Sequence, residues 1–346
     1  MPEVVDVFCH WLPQPFLDAV FARSDQQLHM LERAAQIPVM VDLEARFSVM
    51  DQFEGYCQIP SIASPPIEAV DGPEGAADLA RIANDAQAQM VQLHPNRFLG
   101  FVASLPMNNP EAALAEAERA TRELGAVGVQ VFTNVNGQPL DQPAFLQLFE
   151  AMGELGKPVW LHPARNMSRS DYPTEEVSKY DLWWALGWPY ETSLAMGRLV
   201  FSGLFDRYPD LVIITHHAGG MVPMMEGRFG PGLQMLGTRN PPELADAVAT
   251  PLEEPPLDAF RRFYADTATF GSQSAIECGT TFFGAERMMF GSDMPFDPEQ
   301  GPGFIRATLS AINGMSLSPQ DRNKILSHNA LSVLALAQHD GESTSR

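Results

Sequence analysis

Short runs dense in β-branched and aliphatic residues recur along the chain. They are separated by longer stretches whose apolar positions repeat every three or four residues. The runs are Val4–Cys9, Tyr56–Ala63, Phe98–Leu105, Val127–Thr133, Pro158–His162, Leu211–His217, Phe263–Thr269 and Met288–Asp293. Each is of strand length, and most lack the polar alternation of a sheet with one wet face. Strands of a parallel sheet covered on both sides have this pattern. Between them, Gly75–Leu93, Pro110–Leu124, Gln142–Leu155, Thr192–Phe205, Ser272–Phe283 and Pro302–Ile312 carry helical spacing. Asn109-Pro110 supplies a cap residue followed by a first-turn proline. Strands alternating with helices over this length predict an α/β fold, a (β/α)8 TIM barrel. An open doubly wound sheet is the alternative, but no GxGxxG follows any of the runs.

Three connections are longer than a barrel needs: residues 11–53, 163–191 and 230–262. Loops that follow strands lie over the C-terminal face of a barrel, where active sites form. The second long connection holds Trp183, Trp184 and Trp188, three of the five tryptophans within six residues. Such a cluster suits a subunit contact, making a homodimer or larger homo-oligomer the expectation, or a lid wall against an aromatic or dienoic substrate. Residues 1–337 are expected to form one barrel domain, and the polar segment 338–346 a disordered tail.

Composition narrows the partners. Among 346 residues, 22 Lys and Arg face 43 Asp and Glu, a formal net charge of −21. A surface this acidic repels phosphate backbones and anionic lipid, so neither nucleic acid nor membrane is an expected partner. Cys9, Cys57 and Cys278 form no CxxC pair and suit a reducing compartment. With no basic-then-apolar leader and no apolar run of membrane-spanning length, the expected location is the cytoplasm.

Four histidines, His10, His162, His216 and His217, fall at the C-terminal ends of strand-like runs, and Asp293 ends the eighth. Packing alone does not gather four imidazoles and a carboxylate at one rim of a barrel. Imidazole nitrogen with a carboxylate oxygen is a good donor set for Zn2+ or Mn2+.

The strings around these residues resemble the amidohydrolase superfamily. Asp6-Val7-Phe8-Cys9-His10-Trp11-Leu12-Pro13 is similar to its opening Asp-x-His-x-His-x-x-Pro. Leu161-His162-Pro163, Thr215-His216-His217-Ala218-Gly219-Gly220 and Phe290-Gly291-Ser292-Asp293-Met294-Pro295 resemble its fifth, sixth and eighth strand ends. Ala103–Met107, Gly128–Val131, Trp188–Thr192 and Gly203–Leu211 resemble the branch typified by 2-amino-3-carboxymuconate-6-semialdehyde decarboxylase. The likeness runs from about Val5 to Leu334.

That resemblance implies a non-oxidative decarboxylase, a carboxy-lyase acting on a small aromatic or dienoic carboxylic acid. It implies one divalent metal, Zn2+ with Mn2+ as the alternative, held by His10, His162 and Asp293. His217 maps onto the acid/base histidine, and Asp293 is both ligand and candidate proton carrier. Phe8 departs from the pattern by standing where relatives carry a first metal ligand. On an alternating strand, Asp6, Phe8 and His10 share one face, and Val7 and Cys9 point away. For His216, a rim histidine bonded to a neighbouring loop and a substrate contact both stay open. Phe8, His216, Trp188 and Arg165 are the candidate pocket residues. The segment after Arg228 lacks the basic residues that the branch uses to grip carboxylates, and Arg46, Arg165, Arg169 and Arg239 are the substitutes available. A metal-dependent hydrolase or hydratase of a lactone, cyclic amide or unsaturated acid is the competing activity. An inactive homologue acting as a binding subunit is the third reading.

Overall fold

The computed structural model describes residues 2–23, 28–237, 239, 243 and 252–335. The expected tail, 338–346, lies outside them. Eight parallel strands form the centre: β1 (Val4–His10), β2 (Tyr56–Ser61), β3 (Val102–Ser104), β4 (Gly128–Phe132), β5 (Val159–His162), β6 (Ile213–Thr215), β7 (Tyr264–Asp266) and β8 (Met288–Met289). Continuous ladders join β1 to β2 and run from β3 through to β8. Two seams close the ring. Gln58 bridges Phe98 beside β2, with the Leu99 N–H 3.1 Å from the Gln58 carbonyl. On the other side the Val7 N–H donates to the Phe290 carbonyl at 2.9 Å, and the Asp293 N–H to the Phe8 carbonyl at 2.8 Å. The result is the expected barrel.

The main covering helices are α1 (Pro73–Leu93), α2 (Pro110–Arg122), α3 (Pro143–Leu155), α4 (Gly187–Phe201), α5 (Gln273–Phe283) and α6 (Pro302–Gly314). Pro73, Pro110, Pro143 and Pro302 sit in their first turns, where the missing N–H costs nothing. The Asn109 side chain accepts the Ala112 N–H, capping α2 as its sequence suggests. The first long connection folds into four short helices between Gln14 and Met50. Most strands are shorter than their hydrophobic runs. Some flanking residues, Leu105 and Leu211 among them, are apolar because they are buried at the barrel ends although they lie outside the ladders.

Side chains on the strands divide between two cores. Val5, Val7, Phe8, Ile59, Trp160, Ile214 and Met289 pack in the barrel interior. Val4, Cys9, Val129, Val131, Leu161 and Ile213 pack with the helix layer. Trp160 fills the interior, donates its indole N–H to the Val7 carbonyl at 2.9 Å, and leaves no room for a Cβ at Gly128. Strict alternation on β1 does not hold. Pairing with β2 is irregular between Asp6 and Cys9, and both Val7 and Phe8 join the interior. Asp6 turns instead to Tyr56 and Ser292. A bulge of this kind shifts the phase of the side chains beyond it. Phe8 and His10 share the inner face as expected, but Asp6 does not share it with them.

Candidate active site

The C-terminal ends of β1, β5, β6 and the loop after β8 bring His10, His162, His216, His217 and Asp293 together. His10 Nε2 lies 3.1 Å from Asp293 Oδ1, His216 Nε2 lies 3.6 Å from the same oxygen, and His217 Nε2 lies 3.5 Å from Oδ2. One ring nitrogen from each of His10, His162 and His216 falls within 4.8 Å of the others. The His162 ring centroid is 5.2 Å from those of His10 and His216. Asp293 and His217 adopt positive φ, 59° and 55°. Backbone held in this sparsely populated region is a frequent feature of functional sites.

Three of the four imidazoles are oriented from behind, whereas His217 Nδ1 has no partner among the described residues. His10 Nδ1 meets the Ser61 hydroxyl at 3.1 Å, and His162 Nδ1 meets the Pro163 carbonyl at 2.8 Å. His216 Nδ1 bonds Asp266 at the end of β7, whose other oxygen accepts the N–H groups of Ala218 and Ala268. A buried arginine stabilises the first strand end. Arg46 donates to the carbonyls of His10 and Val39 and to Gln58 Oε1. Arg46 is therefore a structural tie beneath the site and no carboxylate anchor. Asp6 accepts from the Tyr56 hydroxyl, the Ser292 hydroxyl and N–H, and the Phe8 N–H, joining β1 to the loop that carries Asp293.

Charge in the cluster is shared unequally. Burial opposes ionisation of Asp293, but the imidazoles of His10, His216 and His217 gathered around it outweigh burial and hold the carboxyl well below its usual range. Burial also opposes a charged His216, yet Asp266 and Asp293 push it up to about 9. Burial and the neighbouring His216 push His217 down. Burial, with His10 and His216, pushes His162 well down. The site thus combines an ionised Asp293 with neutral His162 and His217, while His216 keeps a proton at neutral pH that a bound metal ion would displace.

Phe8 is fully buried and lies flat on His216, with ring centroids 3.8 Å apart and planes 6° from parallel. Trp188 is 5.8 Å from His162 and 6.4 Å from His217, ring centre to ring centre, and its indole N–H reaches the Arg165 carbonyl. A cleft of about 220 Å³ opens over His217 between Trp184, Trp188, Pro189 and Phe270. A larger one, about 290 Å³, is lined by Ser64, Pro65, Asn134, Arg165, Arg169 and Trp183 and reaches no member of the histidine cluster. The smaller cleft is therefore the one that serves the site. Arg165 and Arg169 both pair with Glu191, and Arg239 is exposed. His216 lines neither cleft. Sequence reasoning missed Asp266 and Ser61, which end their strands in the structure but lie inside the apolar runs Phe263–Thr269 and Tyr56–Ala63, so the run-end rule that found the histidines passed over them.

A closed barrel with four imidazoles and a carboxylate at its C-terminal mouth defines a metal-site scaffold of a known kind. The family model described as Amidohydrolase matches residues 5–336, and the chain belongs to that family. Over 352 residues it is 32% identical to the gamma-resorcylate decarboxylase of Rhodococcus jostii, covering 97% of this chain and 96% of that protein. It is 33% identical over 265 residues to the 2-amino-3-carboxymuconate-6-semialdehyde decarboxylase of Dictyostelium discoideum, covering 76% and 68%. The structure of 5-carboxyvanillate decarboxylase from Sphingomonas paucimobilis superposes with a TM-score of 0.82 at 25% identity, covering 97% of this chain and all of that one. A Polaromonas dihydroxybenzoic acid decarboxylase with bound manganese and the inhibitor 2-nitroresorcinol superposes with a TM-score of 0.75 at 26% identity, covering 98% of each chain.

Proposed function

We propose that this protein is a metal-dependent, non-oxidative decarboxylase of a small hydroxylated aromatic acid or a dienoic acid. The observation that carries the reading is the convergence of His10, His162 and Asp293 at the barrel mouth beside His217 and an aromatic cleft. The cluster fits a divalent ion. His10 Nε2 is buried and, despite its nearness to Asp293, makes no aligned hydrogen bond. An imidazole nitrogen left over in this way is costly unless something takes its lone pair. His10, His162 and Asp293 are the assigned ligands, with Zn2+ favoured by the donor chemistry and Mn2+, found in the Polaromonas relative, as the alternative. When bound, the ion supplies Lewis acidity to the substrate's carboxylate and an adjacent oxygen.

The protein's own groups provide the rest. Trp184, Trp188 and Phe270 form walls that fit a flat ring and keep it over His217. His217 Nε2, 3.5 Å from Asp293 Oδ2, shares a proton with that carboxylate and acts as the general acid/base. The pair delivers this proton to the ring carbon bearing the carboxylate. The carbon–carboxylate bond then breaks, carbon dioxide leaves, and the bonding electrons restore the π system. Indole and phenyl walls limit water near the reacting carbon, which favours protonation over hydration.

Three unpaired cysteines fit a cytosolic setting. Among the described residues no helix is long and apolar enough to cross a membrane. A homodimer is the assembly we favour, because Tyr180, Leu182, Leu186, Tyr190 and Leu194 present exposed apolar surface along one insertion and the start of α4. The activity is tested by offering hydroxybenzoates and dienoic acids to metal-loaded and chelator-stripped protein and measuring carbon dioxide. Metal-dependent release is expected. A hydrated or ring-opened acid formed without carbon dioxide overturns the assignment in favour of a hydratase or hydrolase.

A further inference from the structure

We infer that His216 is itself a metal ligand in this protein, so that the ion is held by His10, His162 and His216 with Asp293 beside them. This deepens the proposed reading of the same site and rests on it. The argument begins with the ring nitrogens. In all three histidines Nδ1 is engaged by a protein group: the Ser61 hydroxyl, the Pro163 carbonyl and the Asp266 carboxylate. That leaves Nε2 as the free donor on each ring, and the three rings offer nitrogens within 4.8 Å of one another. His10 Nε2 and His216 Nε2 are both buried with no hydrogen-bond partner. One ion would satisfy both, whereas Asp293 Oδ1, 3.1 Å and 3.6 Å away, is not aligned to hydrogen-bond with either.

The support behind His216 is that of a ligand. Asp266 holds His216 Nδ1 with one oxygen, and its second oxygen is fixed by the backbone N–H groups of Ala218, at 3.1 Å, and Ala268, at 3.0 Å. A carboxylate clamped this way sets the imidazole tautomer and ring direction and raises the basicity of the opposite nitrogen. Phe8 offers no donor. Its ring lies flat on His216 and fixes the imidazole plane from the other side. His216 is completely buried and lines no cleft, while His217 lines the cleft over the site. The adjacent histidines thus divide the work: His216 faces the ion and His217 faces the substrate.

Metal-free protein titrated with Co2+ tests this, with affinity and the visible ligand-field spectrum as readouts independent of turnover. Wild type is expected to bind one equivalent with a tetrahedral or five-coordinate spectrum. His216→Gln should weaken binding at least 100-fold and change the spectrum. His217→Gln should stay within about threefold of wild type. Phe8→His in the His216→Gln background should recover affinity, since it returns an imidazole to the same corner. Asp266→Asn serves if His216→Gln does not fold, and should cost 10- to 100-fold. Wild-type affinity and spectrum in a folded His216→Gln overturn the inference, as does wild-type affinity in Asp266→Asn. If His10→Gln and His162→Gln lose the metal while His216→Gln keeps it, the inference alone fails. If wild type binds no Co2+, the metal-dependent reading fails with it.

Discussion

Replacing Phe8 with alanine probes the wall on which the site is built. The ring is fully buried in the barrel interior, stacked on His216 at 3.8 Å and 6.2 Å from both His10 and His162. Loss of a buried phenyl from a close-packed core costs about 3–5 kcal/mol, transfer and cavity terms together. The upper half of that range applies here, because strands surround the site and the barrel cannot collapse into the gap. Unfolding entropy near 2.1 cal/mol/K per residue gives roughly 0.7 kcal/mol/K for a chain of 346 residues. Phe8→Ala should therefore lower the melting temperature by about 5.5–7 °C. The assay is a melt of the metal-free proteins at one scan rate, so that packing alone is compared. With the metal restored, the variant should also bind it more weakly, because His216 has lost the surface that fixes its plane. A drop below about 2 °C with unchanged metal affinity would show that Phe8 does not pack as described.

Other perturbations address distinct parts of the account. Glu68 is buried with neither carboxylate oxygen hydrogen-bonded, and burial pushes its pKa from 4.5 up to about 8. Because the folded state favours the protonated form, its contribution is complete below about pH 4.5 and is lost as pH rises through about 8. The ceiling is roughly 5 kcal/mol at about 1.36 kcal/mol per pH unit. Glu68→Gln should flatten denaturant stability between pH 5 and 9 relative to wild type, and parallel curves would contradict this. His217→Ala should retain the metal while turnover falls by about 100-fold or more, read as carbon dioxide release against metal content. His162→Ala should lose both, and full metal content in that variant would remove it from the ligand set.

The barrel was legible because strands buried on both faces must be apolar throughout, and the chain shows eight such runs. Their ends were not legible. Residues such as Leu105 and Leu211 are buried outside the ladders, and hydrophobicity does not distinguish pairing from burial. The gathering of His10, His162, His216, His217 and Asp293 followed from their places at strand ends. The position of Asp6 did not follow, because a bulge on β1 changes the alternation and nothing in Asp6–His10 announces it. Asp266 lies in the middle of the run Phe263–Thr269 and ends its strand only because the ladder stops three residues before the run does. Arg46 read as a loop arginine free to grip substrate. Its burial depends on carbonyls of His10 and Val39 that only the folded connection brings within reach.

The central claim is that His217 and Asp293 deliver a proton to a carbon that loses its carboxylate at a metal-binding barrel mouth. The most direct measurement is turnover in D2O of a hydroxybenzoate labelled with 13C in the carboxyl group. The account predicts release of labelled carbon dioxide and a product bearing one deuteron at the carbon that held the carboxylate, both abolished by Asp293→Asn. Retention of the label in an acid product, or unchanged labelled release by Asp293→Asn, would contradict it.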